Sequence, residues 1–450
     1  MFRVYITHRD KAVYMKKCVL IILDGIGDRA IAELSNRTPL QAAHTPTLDR
    51  LCSLGSNGLF HAGMPGQALP SENAHFAIFG YDEQDFPGRG ALEALGAGVD
   101  ISPGDVCVLS HFASLKEKHG TLILERDKPA AEHDEAEALI DAVREYRIGG
   151  VDIRFHQTKG LFGVIVLSGD VSPCITDTNP MREGGLLMEV KPWLTHSGDM
   201  QARNCAQALK AYLLWAYERL CHHRVNTHRA EFPINGIVTQ RAGRLRTVRP
   251  FLRRYGMKGL SIASGTVYAG ISSYLGLDFM NMTDTEDVSF DIAQRLICAR
   301  KALDEYDFIH VHTKTPDEAA HTKDPLAKKA VIEALDKGIG ISIDPIMNDP
   351  ETLVVITADH STPSTGPLIH SGEPVPLTMC GPGVRIDEVT LFDEIHAASG
   401  ALSLIRGKEL MYTILDYLDR SKLRGIMDTD EDQPYWPGSY EPFSLPERNP

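Results

Sequence analysis

Apolar runs of strand length recur along the chain, and three of them end on residues that can hold a metal. Cys18-Val19-Leu20-Ile21-Ile22-Leu23 stops at Asp24-Gly25, and Leu353-Val354-Val355-Ile356-Thr357-Ala358 stops at Asp359-His360. Phe308-Ile309-His310-Val311-His312 leads into a loop that carries Asp317 and His321. Runs of this length without polar alternation predict parallel strands buried on both faces. Open α/β sheets bind ligands at the carboxyl ends of such strands, where a chain delivers an acid or an imidazole. Asp317 and His321 share one face if their loop opens into a helix, because they lie four residues apart. Helical spacing appears elsewhere: Glu132 to Tyr146 alternates acids with Ala, Leu, Ile and Val and predicts a helix stopped by Gly149-Gly150. Ala202 to His222 predicts a long helix in which Trp215 and Tyr217 serve a core or an interface, while Val151–Phe155 and Gly163–Leu167 read as strands.

Composition narrows the functional classes. With 450 residues the chain has room for two or three domains. Lys and Arg total 46 against 60 acids, a net charge of −14, which argues against a nucleic-acid partner and requires that any anionic substrate be neutralised locally. Eight cysteines without Cys-x-x-Cys spacing read as reduced thiols of a cytoplasmic protein. No stretch approaches the ~20 apolar residues needed to span a bilayer. Lys16-Lys17 before the first apolar run superficially suggests a signal peptide, but Asp24 interrupts it before any cleavage site, and Met15 reads as an alternative start. Gly25-Ile26-Gly27 lacks the third glycine of a dinucleotide fingerprint. His222-His223 and His310-Val311-His312 could bind metal, but a surface pair and buried strand histidines are the favoured readings.

Carboxylates and imidazoles at several strand ends form the donor set that holds zinc or manganese while leaving positions open for substrate. His370 alone reads as a hydrogen-bonded loop histidine, and Ser71, between Pro70 and Glu72, as a helix N-cap. The joint occurrence of the acids and histidines favours a metal site over separate structural roles.

These segments resemble the archaeal-type 2,3-bisphosphoglycerate-independent phosphoglycerate mutases of the alkaline phosphatase superfamily. The stretches that carry the resemblance are Leu23–Asp28, Thr38–Pro46, Ser71-Glu72-Asn73-Ala74-His75, Gly88-Arg89-Gly90 with Glu93–Gly98, His312–His321 and Asp359-His360-Ser361-Thr362-Pro363. Similarity extends over roughly residues 17 to 420 and, with that family, implies an α/β fold: an alkaline-phosphatase-like, sandwiched, mostly parallel sheet with a smaller inserted α+β domain. It implies two divalent metal ions, of manganese, zinc or magnesium. Asp24, Ser71, Asp359 and His360 would hold one, and Asp317, His321 and His370 the other. Ser71 would be the nucleophile, forming a phosphoserine. Arg229 and Arg241 lie in segments that match and, with Arg126 and Lys314, are the expected contacts of a small phosphorylated metabolite.

Since Asp24 and Ser71 come early and the other ligands after residue 316, the middle reads as an insertion. Expected boundaries are a catalytic domain over 15–105 and 256–425, an inserted substrate-binding domain over 106–255, and a poorly ordered, acid- and proline-rich tail over 426–450. The chain departs from the family where cations are usual. Leu109-Ser110-His111-Phe112, Glu125–Ala130, Leu161-Phe162 and Ala269-Gly270-Ile271 replace stretches that elsewhere supply Arg or Lys. Interconversion of 3-phosphoglycerate and 2-phosphoglycerate is the leading expectation because the resemblance spans both domains, with a metal-dependent phosphatase or phosphotransferase, favoured by those replacements, as the alternative and a non-catalytic metal-binding protein as the third. Oligomeric state is left open.

Overall fold

A computed structural model describes residues 16–229, 232–436 and 443–446, so the alternative start at Met15 lies outside the described residues. In chain order the strands are β1 (Lys17–Leu23), β2 (Gly55–His61), β3 (Val106–Lys118), β4 (Thr121–Arg126), β5 (Glu145–Ile148), β6 (Val151–Lys159) and β7 (Phe162–Ser168). They continue as β8 (Gly236–Gly243), β9 (Gly259–Ala263), β10 (Asp278–Asn281), β11 (Phe308–Thr313), β12 (Thr352–Thr357), β13 (Val375–Cys380) and β14 (Ser403–Arg406). The chain divides into two units. The first takes the chain up to Glu83, Arg249–Ser264 and the chain from Leu275; the second takes Gln84–Val248 and Gly265–Tyr274.

In the first unit eight strands order as β10-β9-β11-β1-β12-β13-β2-β14. Only the β12–β13 and β13–β2 pairs are antiparallel. The apolar runs β1, β11 and β12 occupy the middle with Cys18 to Leu23, Phe308 to Thr313 and Thr352 to Thr357 all buried, as strands covered on both faces require. Because Ile22 lies in register with both His312 and Thr357, the three strands finish side by side. Asp24, the loop before Asp317, and Asp359 therefore leave the sheet at one edge. The α/β expectation holds.

The second unit is an antiparallel sheet, β4-β3-β7-β6-β5 with β8 on β3. Its core joins Phe112, Ile153 and Ile165 to Leu139 and Ile140 of the helix His133–Val143 and to Leu209 and Tyr212 of the helix Met200–Cys221, and Trp215 packs against it. The first of these helices ends earlier than its periodicity predicts. Glu145–Ile148 pairs with β6, and Gly149-Gly150 makes the hairpin turn, with φ of 57° and 81° that favour glycine at both positions. Two helices outside 106–255 also belong to this unit, Arg89–Gly96 and Thr266–Leu275. They meet through glycines: a Cβ on Gly96 would lie 1.9 Å from the Thr266 carbonyl oxygen, and one on Gly270 1.9 Å from that of Leu92.

Residues 427–436, in the acid- and proline-rich segment, fold back on the first unit. Lys422 has a fully buried ammonium stem and takes Asp428 as its counter-charge, and the Tyr435 hydroxyl donates to the Arg253 carbonyl at 3.2 Å. The rest of that segment, 437–442 and 447–450, lies outside the described residues. Among the described residues no helix is long and apolar enough to cross a membrane.

Candidate metal centre

The expected ligand positions lie within the first unit, in the segments that follow β1, β11 and β12 and, for Ser71, β2. Asp24 is the first residue beyond β1 and is 1% exposed; its amide donates to the Thr313 carbonyl at 3.1 Å, which holds it beside β11. Asp359 is equally buried. Its Oδ1 accepts from the amides of Gly25 at 3.1 Å and His360 at 3.0 Å, leaving Oδ2 directed at His360 Nε2 at 3.1 Å. His360 Nε2 also lies 3.4 Å from Asp24 Oδ1 and 2.9 Å from Ser71 Oγ.

The loop after β11 does open into a helix, Thr315–His321, with Pro316 in its first turn, and the four-residue spacing brings His321 Nε2 within 3.2 Å of Asp317 Oδ2. His370 Nε2 approaches Asp317 Oδ1 at 3.6 Å, and its ring stacks on that of His360 with centroids 3.8 Å apart. The Leu69 carbonyl accepts from His370 Nδ1 at 2.8 Å, which leaves Nε2 as the lone-pair nitrogen facing Asp317. Two groups thus have donor atoms within 4.8 Å of one another: Asp24, Asp359 and His360, and Asp317, His360 and His370.

Burial alone would raise the carboxyl of Asp359, yet His360 and then His75 hold it well below the usual carboxylate range. Burial likewise opposes charge on His360, and Asp359 and Asp317 outweigh it and push its pKa up. Asp317 is kept low against burial by His321 and His360, while burial keeps His370 below its ordinary value. Carboxylates converging on imidazole nitrogens call for positive charge between them. Asp359 Oδ2 is buried with no hydrogen-bond partner, as a ligand oxygen would be, and the mixed oxygen and nitrogen donor set suits a divalent transition metal.

Ser71 departs from the sequence reading in one respect. It is the first residue of the helix Ser71–Ile78 rather than its cap; Pro70 occupies the cap, and no side chain caps this end. Pro70 offers no side-chain acceptor, so the serine hydroxyl is left for His360.

Sequence reasoning missed several supporting residues. His312 donates from Nε2 to Asp24 Oδ2 at 3.0 Å, and its neighbour in β11, His310, bonds Ser261 Oγ through Nδ1 at 2.9 Å. Alternation along β11 puts both rings on one face, where they meet the buried ring of His75 edge-on at 4.9 and 5.3 Å. His75 itself donates from Nδ1 to the Ser71 carbonyl at 2.8 Å. Thr362 bridges His360 and Asp317. Lys328, wholly buried, ties the loops together by donating to the Gly27 carbonyl at 2.8 Å, the Thr362 carbonyl at 2.7 Å and Asp28 Oδ2 at 3.1 Å. The only signal for these residues was their position within or beside the motifs; nothing marked Lys328.

The proposed substrate cations fall in different places. Lys314, half-buried, immediately precedes the helix Thr315–His321 in the first unit. The three arginines belong to the second unit. Arg229 donates to Glu135 Oε2 at 2.8 Å and to the Ala130 carbonyl at 2.7 Å. Arg126 lies 3.6 Å from Glu183 and over the Phe232 ring at 4.5 Å. Arg241 has a left-handed backbone, φ 54°, and its amide donates to Asp177 at 2.7 Å.

Buried acids and histidines converging at the ends of parallel strands define a metalloenzyme, and the family model described as Metalloenzyme superfamily matches residues 16–417. The 2,3-bisphosphoglycerate-independent phosphoglycerate mutase 2 of Methanocaldococcus jannaschii is 37% identical over 432 residues, covering 94% of this chain and 97% of its own. The mutase of that name from Methanopyrus kandleri is 37% identical over 417 residues, 90% of this chain and 97% of its own. Among solved structures, the PH0037 protein of Pyrococcus horikoshii superposes with a TM-score of 0.74 at 29% identity, covering 92% of this chain and 100% of that one. The cofactor-independent phosphoglycerate mutase of Thermoplasma acidophilum gives 0.62 at 29% identity, over 90% and 100%. The chain belongs to the family of 2,3-bisphosphoglycerate-independent phosphoglycerate mutases.

Proposed function

We propose that the protein interconverts 3-phosphoglycerate and 2-phosphoglycerate in the cytoplasm, without bisphosphoglycerate, by metal-dependent phosphoryl transfer through Ser71. The observation that carries this reading is the place of Ser71 Oγ, 2.9 Å from His360 Nε2 and at the amino end of a helix. Free amides and the helix dipole there favour both an alkoxide and an arriving phosphate. Asp24, Asp359 and His360 with Ser71 would hold one divalent ion, and Asp317, His321 and His370 a second, of manganese, zinc or magnesium. Bound there, the ions supply charge to ionise the serine and to neutralise phosphoryl oxygens.

The serine oxygen forms a bond to phosphorus as the bond to the glycerate oxygen breaks. That oxygen gains, net, the proton lost by Ser71. Transfer back from phosphoserine to the neighbouring hydroxyl reverses these changes and completes the isomerisation. Arg229, Arg241, Arg126 and Lys314 are the cations that would orient the glycerate. The eight free cysteines suit a reducing compartment.

A second reading, hydrolysis of the phosphoserine, is favoured by the replaced cations and by the engagement of Arg229 with Glu135 and of Arg126 with Glu183. Incubation of metal-loaded protein with 3-phosphoglycerate, without bisphosphoglycerate, separates the two. We expect 2-phosphoglycerate to exceed free phosphate; phosphate as the main product overturns the mutase reading, and full turnover in excess chelator overturns the metal dependence.

A further inference from the structure

The geometry points to Thr362 as a positioning residue that orients a ligand in each of two ion sites. This rests on the two-ion reading above. His360 lies close enough to join either donor group, the one with Asp24 and Asp359 or the one with Asp317 and His370. A neutral imidazole offers only one lone-pair nitrogen, so something must decide which of its two nitrogens can be a ligand.

The Thr362 hydroxyl decides. It carries one hydrogen, which it donates to Asp317 Oδ1 at 2.7 Å. Towards His360 Nδ1, 3.1 Å away, the same oxygen can therefore only accept. Nδ1 must carry the ring hydrogen, and Nε2 is left as the lone pair, aimed at Asp359 Oδ2, Asp24 Oδ1 and Ser71 Oγ. At its other end the hydroxyl occupies Asp317 Oδ1, which leaves Oδ2 on the side of His321, 3.2 Å from Nε2. One hydroxyl thus fixes the tautomer of a ligand in the first group and the orientation of a carboxylate in the second.

Thr362 is held well enough to do this. It is completely buried, its amide donates to the Gly27 carbonyl at 2.9 Å, and its carbonyl accepts from Lys328 Nζ at 2.7 Å. A β-branched side chain on so constrained a backbone has little rotamer freedom.

Equilibrium titration of the metal-stripped enzyme with manganese or zinc, read by bound-metal stoichiometry and affinity, tests the assignment. Thr362→Val removes the hydroxyl at nearly constant volume and should weaken both ions by about 10- to 100-fold, whereas Thr362→Ser should stay within roughly threefold of wild type. A valine variant that binds two ions like wild type, or a serine variant as impaired as valine, overturns the assignment. Nitrogen-15 NMR of His360 in metal-free wild-type protein at alkaline pH gives a check that needs no variant. Protonated Nδ1 with bare Nε2 is expected, and the opposite tautomer overturns it. Wild-type protein that takes up only one ion refutes the two-ion reading itself, which is a different outcome from two ions bound without regard to Thr362.

Discussion

The two units hold their charged groups in opposite ways. In the first, acids and histidines are buried at adjacent strand ends and face one another: donor atoms of Asp24, Asp359 and His360 converge within 4.8 Å. In the second, two of the three arginines expected to meet substrate are held locally, Arg229 by Glu135 and Arg126 by Glu183. The first arrangement stays electrostatically unfinished until a cation arrives. In the second these two arginines already have carboxylate partners, so an anionic ligand that used them would have to compete with Glu135 and Glu183. On the proposed function, transfer chemistry would fall to fixed positions in the first unit, and substrate choice to exchangeable pairings in the second.

The largest expected effect follows from the nucleophile. Ser71→Ala should lower turnover by on the order of 10⁴-fold and abolish a labelled phosphoenzyme. Because Ser71 makes no cap bond, unfolding free energy should change by no more than about 0.5 kcal/mol. Label trapped from substrate and mapped to any other residue would place the chemistry outside the cluster.

Next in size is Gly25→Ala. Gly25 has φ +66°, and a Cβ there would come within 2.6 Å of Thr362 Oγ1 and 2.8 Å of Asp317 Cβ. The strain should cost about 1–3 kcal/mol, and displaced ligands should weaken metal binding by about 10- to 100-fold. Calorimetric metal titration beside a thermal melt reads both, and undiminished affinity would show that the cluster tolerates displacement.

For the second unit, Arg229→Ala should raise KM for phosphoglycerate by about tenfold to a hundredfold, the loss of one charge-assisted hydrogen bond. A lower Tm with unchanged KM would make the Arg229–Glu135 pair a brace alone and remove the contrast between the two units.

The smallest effect concerns pH. Burial holds His310 well below its ordinary 6.5, so the unfolded chain binds this proton more readily than the native one. The resulting stability is complete above that value and is lost as pH falls through it, at up to about 1.4 kcal/mol per pH unit. In denaturant melts His310→Asn should flatten this acid slope. An unaltered slope would assign it to other buried groups.

Much of the first unit was legible because buried parallel strands are nearly pure apolar runs and each ended on a chemically distinctive residue. The positions of Asp24, Asp317, His321, Asp359 and His360 at those ends follow from that pattern. Ser71 and His370 do not; Ser71 opens a helix and His370 sits on irregular chain, and only the resemblance to a family marked them as ligands. The Ser71 cap was misread because proline can occupy a cap position without a side-chain bond. In the second unit the helix beginning at His133 was legible but its end was not, since the pairing of β5 with β6 overrides local periodicity. Thr362 and Lys328 were hidden for another reason: what they do depends on partners far away in the chain, and a threonine or lysine has no periodic signature.

Lys328 carries a consequence for how the centre fills. Its ammonium binds the Gly27 and Thr362 carbonyls and Asp28 together, and the hydroxyl and amide of Ser364 complete the knot on Asp28 at 2.7 and 3.0 Å. The loops after β1 and β12 are thereby given their shape by an internal cation, before any metal is present. An arriving ion then finds ordered ligands and spends little of its binding free energy on chain entropy. Chelation should empty this centre as one empties a socket, with the walls left standing.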